Sequence, residues 1–238
     1  MRNSWTILEQ GLGRPIANMS FAAMQSYLRS AQRRGIGMMH TARPFAFYRK
    51  VFYGNQSGSQ VLKSLRDKRV VDVGCGYTPY ATDSMFRACH DAGIEFYGVD
   101  PLLGKKIAIG PWERALARVT GGSALFNSNP PGLSKALPES AQMLHFDDAS
   151  IDEILCSYLL FVWIEDEEVL ADILSEFLRV LKSGGTVKLY PLYEWRLMRF
   201  RNKRLKSVLE HFELQQTFVH GRGDWRVMPS MLTELVKA

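Results

Sequence analysis

The run VVDVGCG (70–76) constrains this chain more than any other feature. A short, mostly β-branched apolar stretch runs straight into Gly-x-Gly, so a buried strand must stop in a tight turn. The missing side chains of that turn let a ligand approach the backbone closely. A helix is expected over Ala81–Ala92, where Met85, Phe86 and Cys89 keep helical spacing and Gly93 stops it. EFYGVD (95–100) reads as a second strand that closes on an acid, Asp100, 24 residues after Gly76.

The same alternation continues along the chain. VLKSL (61–65) reads as a short helix, Ile151–Ser157 as a strand, Asp166–Lys182 as a helix stopped by Gly184–Gly185, and TVKLY (186–190) as a strand. Arg199–His211 reads as a further helix and LQQTFVH (214–220) as a strand, with room in the tail for one more. Short apolar strands alternating with helices are the pattern of a parallel sheet covered on both faces. Residues 102–144 have no clean period and read as an insertion, with a helix expected near Trp112–Val119 and a short strand near Ala124–Asn127.

Composition excludes several classes. With 238 residues, 46% hydrophobic and 23% charged, the chain is neither disordered nor collagen-like and has length enough for a core without staples. Cys75, Cys89 and Cys156 give no CxxC spacing, hence no disulfide framework and no zinc set; Cys75 and Cys156 read as buried small hydrophobes. The five histidines make no HxH or HExxH pattern, so no metal is expected. The longest nearly apolar run, 154–164, is 11 residues, against the roughly 20 needed to span a bilayer. The N-terminus lacks an apolar export segment, and a reduced, cytoplasmic setting is expected. A net charge of +6 permits an anionic partner without requiring one.

Two ligand classes compete for the glycine turn. A dinucleotide site wants a third glycine where this chain has Pro79, and has no use for an acid two residues before the first glycine. Asp72 occupies that place, where a cationic ligand group could sit. S-adenosylmethionine carries an ammonium and a sulfonium and has no phosphate to load onto a helix N-terminus.

The chain resembles the class I S-adenosylmethionine-dependent methyltransferases. Asp72-x-Gly74-x-Gly76 matches their first motif and Asp100 their ribose-holding acid. HFDDASIDEILCSYLL (145–160) is similar to their approach to the fourth strand, and FLRVLKSGGTVKLY (177–190) to their helix–Gly-Gly–fifth-strand segment. The likeness covers about Val61 to Tyr190 well and the tail loosely; Thr78 stands where the family often has a third glycine.

It implies a Rossmann-like three-layer α/β sandwich with a mostly parallel seven-stranded sheet and a helical N-terminal cap. Residues 1–60 would form the cap, and 61–238 the catalytic domain with its insertion at about 102–144. It implies S-adenosyl-L-methionine as cofactor, leaving S-adenosyl-L-homocysteine as product. Gly74, Cys75 and Gly76 would line the methionyl part, Asp72 its amino group and Asp100 the ribose. Pro101 and Leu102 would border the adenine, and Ser157 and Tyr158 close the methionine side. Asn127, Glu139 and Ser140 all remain open as the adenine reader.

Candidate general bases are His40, in the N-terminal segment, and Tyr193 and Glu194, after the fifth strand. Positioning alone can suffice for an in-line methyl transfer, and a base matters chiefly for a hydroxyl acceptor. The aromatic run Phe45, Phe47, Tyr48, Phe52, Tyr53 could line an acceptor pocket or pack a lid, and the lid is the favoured reading. NPPG (129–132) reads as a proline turn. WRLMRFRNKRLK (195–206) holds six basic residues without an acid; on one helix Arg196, Arg199, Lys203 and Lys206 would form a stripe. The expected activity is methyl transfer to an O, N or C nucleophile of a small-molecule acceptor. The alternatives are an RNA or protein methyltransferase using the basic segment, or a non-catalytic cofactor-binding protein.

Overall fold

The computed structural model describes residues 43–76, 79–103, 133–220, 227 and 229–238, with residues 19 and 26 singly before them. The strands are β1 (Arg69–Val73), β2 (Glu95–Val99), β3 (Ala136–Leu137), β4 (Ile151–Ser157), β5 (Leu181–Tyr190), β6 (Phe212–Val219) and β7 (Ser230–Lys237). They form one seven-stranded sheet in the order β3-β2-β1-β4-β5-β7-β6. The first five are parallel, while β7 runs antiparallel to both β5 and β6, so the sheet is mixed and mostly parallel. With β2 on one side of β1 and β4 on the other, the strand order reverses at β1, and a crevice opens at its carboxyl end.

The period-two alternation of the strands sorts the core into two layers. Val70, Phe96 and Leu155 face helices α1 (Phe45–Phe52), α2 (Gly58–Leu65) and α3 (Met85–Asp91). Val71, Ile154 and Val187 face α4 (Glu167–Val180) and α6 (Lys203–Leu209), which follows the single turn α5 (Glu194–Leu197). All three cysteines are free and buried. Among the described residues no helix is long and apolar enough to cross a membrane.

Several boundaries differ from the sequence expectation for local reasons. α3 begins at Met85 because Ser84 caps it, its hydroxyl accepting from the Arg87 N–H at 3.0 Å. α4 is capped by Asp166, which accepts from the Glu168 and Val169 N–H groups. It ends at Val180, before the Gly-Gly pair, because Leu181 is fully buried and pairs with Ile151, which pulls the chain into β5. The glycines sit instead where the β4–β5 register shifts: a Cβ on Gly185 would lie 2.9 Å from the Lys182 carbonyl oxygen. β3 lies at Ala136–Leu137; the helix and strand expected near 112–119 and 124–127, the helix Ala22–Arg33 and the NPPG turn lie outside the described residues.

The basic segment is not one helix. The chain breaks after Leu197 and restarts at Asn202, whose side chain caps α6 through the Leu205 N–H at 2.9 Å. Acids of α4 and its approach draw the segment in: Arg196 pairs with Glu165, Arg204 with Asp172 at 2.5 Å, and Glu167 accepts from the Arg201 and Asn202 N–H groups. The single stripe from Arg196 to Lys206 is therefore not formed.

α1 is a core helix on one face of the sheet. Phe47, Tyr48, Phe52 and Tyr53 are buried in that layer, so these rings pack the core where a lid was expected. Two phenols fasten the helix to the strands. Tyr48 donates to Asp72 on β1 at 2.5 Å and Tyr53 to Glu153 on β4 at 2.8 Å. Glu153 also meets Lys188 at 2.9 Å and Lys68 at 3.3 Å. Burial works to raise the Glu153 carboxyl, but Lys188, Lys68 and the Tyr53 hydroxyl overcome it and hold it below its ordinary range.

Candidate cofactor and active site

The carboxyl end of β1 turns through two left-handed glycines, Gly74 (φ +76°) and Gly76 (φ +77°). The Gly74 and Cys75 N–H groups donate to the Val99 carbonyl at 2.8 and 3.3 Å, which ties the turn to β2. Asp100 completes the tie. Its Oδ2 accepts from the Gly76 N–H at 3.1 Å and its Oδ1 from the Leu102 N–H at 2.9 Å. Each oxygen keeps further acceptor capacity. A side chain at Gly74 would suffer both the backbone conformation and a Cβ contact of 2.8 Å with Leu159.

Asp72 lies one layer deeper, 4% exposed. Its Oδ2 takes the Tyr48 hydroxyl, while Oδ1 is buried and has no partner. Burial pushes this carboxyl up to about 7, against the lowering effect of the Tyr48 bond, with the nearby Asp100 pushing the same way as burial. A buried carboxylate oxygen without a donor is costly unless a ligand supplies one. A primary ammonium fits that need.

In front of these groups lies a cavity of about 360 Å³, within the usual range for small-molecule sites. Gly74, Cys75, Gly76, Asp100, Pro101, Leu102, Ser157 and Tyr158 line it, so eight of the nine cofactor candidates meet in one space. Asp72 stands behind the wall and reaches it through Tyr48. The structure adds Arg43, Tyr48, Glu139, Leu159 and Trp163 to the lining. Tyr158 adopts φ +57°, an uncommon conformation for an aromatic residue, with its N–H bonded to the Tyr190 carbonyl at 2.6 Å. Its ring carries the Arg43 guanidinium 4.7 Å from its centre. Nothing in the spacing of 43–54 marked Arg43 as a site residue, because the strands that meet it come later in the chain.

Of the base candidates, Tyr193 is the one whose side chain is described. Tyr193 is buried in a small cluster with Val162 and Met231 and is not part of the cavity lining; burial pushes its hydroxyl up. Glu194 opens α5, and His40 lies outside the described residues. Of the three candidate adenine readers, Glu139 lines the cavity and meets His145 Nδ1 at 2.9 Å, Ser140 is exposed, and Asn127 lies outside the described residues. Among the described residues no group of three or more His, Cys, Asp and Glu side chains could hold a metal ion.

A buried acceptor suited to an ammonium, an acid at the end of β2 suited to a ribose, and a glycine turn open to close approach fit an S-adenosyl ligand. A family model described as a methyltransferase domain matches residues 71–189, half of the chain. No curated protein matches. Among solved structures, similar chains include a SAM-dependent methyltransferase from Methanosarcina mazei, 19% identical over 74% of this chain and 94% of that one, with a TM-score of 0.39. TrmN from Thermus thermophilus is 24% identical over 83% of this chain and 55% of its own, TM-score 0.43, so the chain spans about half of its length. The N-methyltransferase NodS from Bradyrhizobium japonicum is 11% identical over 79% of this chain and 98% of that one, TM-score 0.41. By the matched domain, the chain belongs to the class I S-adenosylmethionine-dependent methyltransferases and is an enzyme whose methyl donor is S-adenosyl-L-methionine.

Proposed function

We propose that this enzyme methylates an O, N or C nucleophile of a small-molecule acceptor. The observation that carries the reading is the cavity, whose lining joins Arg43, Tyr48, Tyr158 and Trp163 to the glycine turn and Asp100. These side chains enclose a space of small-ligand size beside the glycine turn. The basic segment that would favour RNA is broken, and two of its cations are paired with acids.

In this reading the cap spans 1–60 and the catalytic domain 61–238, although α1 within the cap is already part of the core. Gly74, Cys75 and Gly76 hold the methionyl part with backbone groups, and Asp72 accepts from its ammonium. Asp100 binds the ribose hydroxyls, Pro101 and Leu102 border the adenine, and Ser157 and Tyr158 close the methionine side. The bound donor supplies a methyl group on a cationic sulfur, already activated for displacement. The aromatic walls exclude water, present electron-rich faces toward positive charge, and hold the acceptor in line. Glu139 is the cavity carboxylate nearest in kind to a base, with His145 meeting both of its oxygens.

The test is mass spectrometry of purified protein for co-purified S-adenosyl ligands, then a screen of metabolite pools with isotopically labelled donor. Label in small molecules is expected. Label only in RNA or protein, with binding that falls steeply with salt, would overturn the small-molecule assignment and leave the family intact.

A further inference from the structure

Arg43 stands half-buried in the cavity wall, immediately before Pro44 and α1. Its guanidinium lies over two aromatic faces, 4.7 Å from the Tyr158 centre and 5.5 Å from that of Phe47. Stacking of this kind supports the plane of the cation but engages none of its five N–H donors. None of the ion pairs among the described residues involves Arg43. Its fork is thus supported by the rings, and no hydrogen bond or ion pair among the described residues engages its donors, the arrangement suited to bidentate binding of a carboxylate.

Tyr48, five residues on, lines the same cavity and fixes Asp72 through Oδ2, leaving Oδ1 with no partner. One short segment therefore presents a cation with free donors and, through Tyr48, orients an anion with a free oxygen. A cation in the cavity wall and, behind that wall, an anion held by Tyr48 together complement a group that carries an ammonium and a carboxylate on the same carbon.

We propose that Arg43 binds the α-carboxylate of the donor's methionyl group, as the cationic half of a zwitterion receptor whose anionic half is Asp72. The proposal rests on the donor-site reading above and adds to it a residue outside the matched domain. It also gives the strained Tyr158 backbone a role, since that conformation places the ring on which the guanidinium rests.

The test compares two probes by calorimetry on the full chain: S-adenosyl-L-homocysteine, and 5′-methylthioadenosine, a nucleoside thioether that lacks the amino-acid end. Arg43→Gln is expected to weaken S-adenosyl-L-homocysteine by about ten- to a hundredfold, the scale of charge-assisted bonds. Methylthioadenosine should change by no more than about twofold, which also verifies that the variant is folded. Arg43→Lys, which keeps the charge and loses the fork, should fall between. Equal loss of both probes would make Arg43 a prop for the wall, and unchanged S-adenosyl-L-homocysteine would place the carboxylate elsewhere; either overturns the proposal. A wild-type protein that binds neither probe would overturn the donor site itself.

Discussion

Tyr48 and Asp72 share a hydrogen bond of 2.5 Å that serves one carboxylate oxygen and leaves the other buried without a donor. The folded protein therefore keeps the Asp72 proton up to about 7, whereas the ordinary carboxyl releases it at 3.8. Between those values the folded state binds more protons than the unfolded chain, so stability of the ligand-free enzyme falls as pH rises from about 4 to 7, then levels. Thermal or urea unfolding across that range checks this, and Asp72→Asn should flatten the profile.

Ligand affinity should run the opposite way. An ammonium prefers the ionised Asp72, so S-adenosyl-L-homocysteine should bind tighter as pH rises toward about 7, by nearly tenfold per unit at the steepest. Titration calorimetry at several pH values measures the slope. Asp72→Asn should remove it and weaken binding at pH 8 by about 1–3 kcal/mol.

Asp100→Ala removes the acceptor for the Gly76 and Leu102 N–H groups as well as the proposed ribose acceptor. Cofactor affinity should fall by about 1–3 kcal/mol. Unchanged affinity in equilibrium binding would remove Asp100 from its assigned role.

Gly98 on β2 leaves room for the side chain of Cys75. A Cβ there would lie 2.9 Å from Cys75 Sγ and 3.4 Å from Phe86. Gly98→Ala should destabilise the fold by about 1–3 kcal/mol through overpacking and loosen the glycine turn. Adding Cys75→Ala removes the clashing sulfur, so the double variant should recover most of the loss in denaturant unfolding, a coupling that independent sites would not show.

Glu153→Gln leaves Lys188, only 11% exposed, without its closest anion. Breaking a buried pair costs about 3–5 kcal/mol, and Glu234, 3.7 Å from Lys188, brings the expected loss below that range. The native Glu153 carboxyl titrates below its ordinary 4.5, so its contribution is present above that pH and fades as pH falls through its folded value. Chemical denaturation at pH 7 and pH 3 should show the variant's deficit shrinking in acid.

The parts of this molecule written in contiguous residues were legible beforehand. β1 and β4 fall on the expected residues, because their apolar runs and flanking turns leave no other register. The two-residue β3 had no periodicity to read, and its place is set by pairing with Gly98 and Val99. The Gly184–Gly185 pair looked like a helix stop, whereas burial of Leu181 had already turned the chain. Four of the six basic residues of 196–206 looked like a stripe until the α4 acids and the Asn202 cap divided the segment. In the site, the glycine turn and Asp100 carried a local signature. Arg43 and Trp163 did not, since their meaning comes from strands that reach them only in three dimensions.

Fastening α1 at Asp72 and again at Glu153 joins the ligand chamber to the foundations of the sheet. Between Arg43 and Tyr48 a further tie, the Phe45 N–H to the Asp83 carbonyl at 2.6 Å, pins the same panel to the approach of α3. Whatever occupies the chamber therefore acts as mortar for the whole flank.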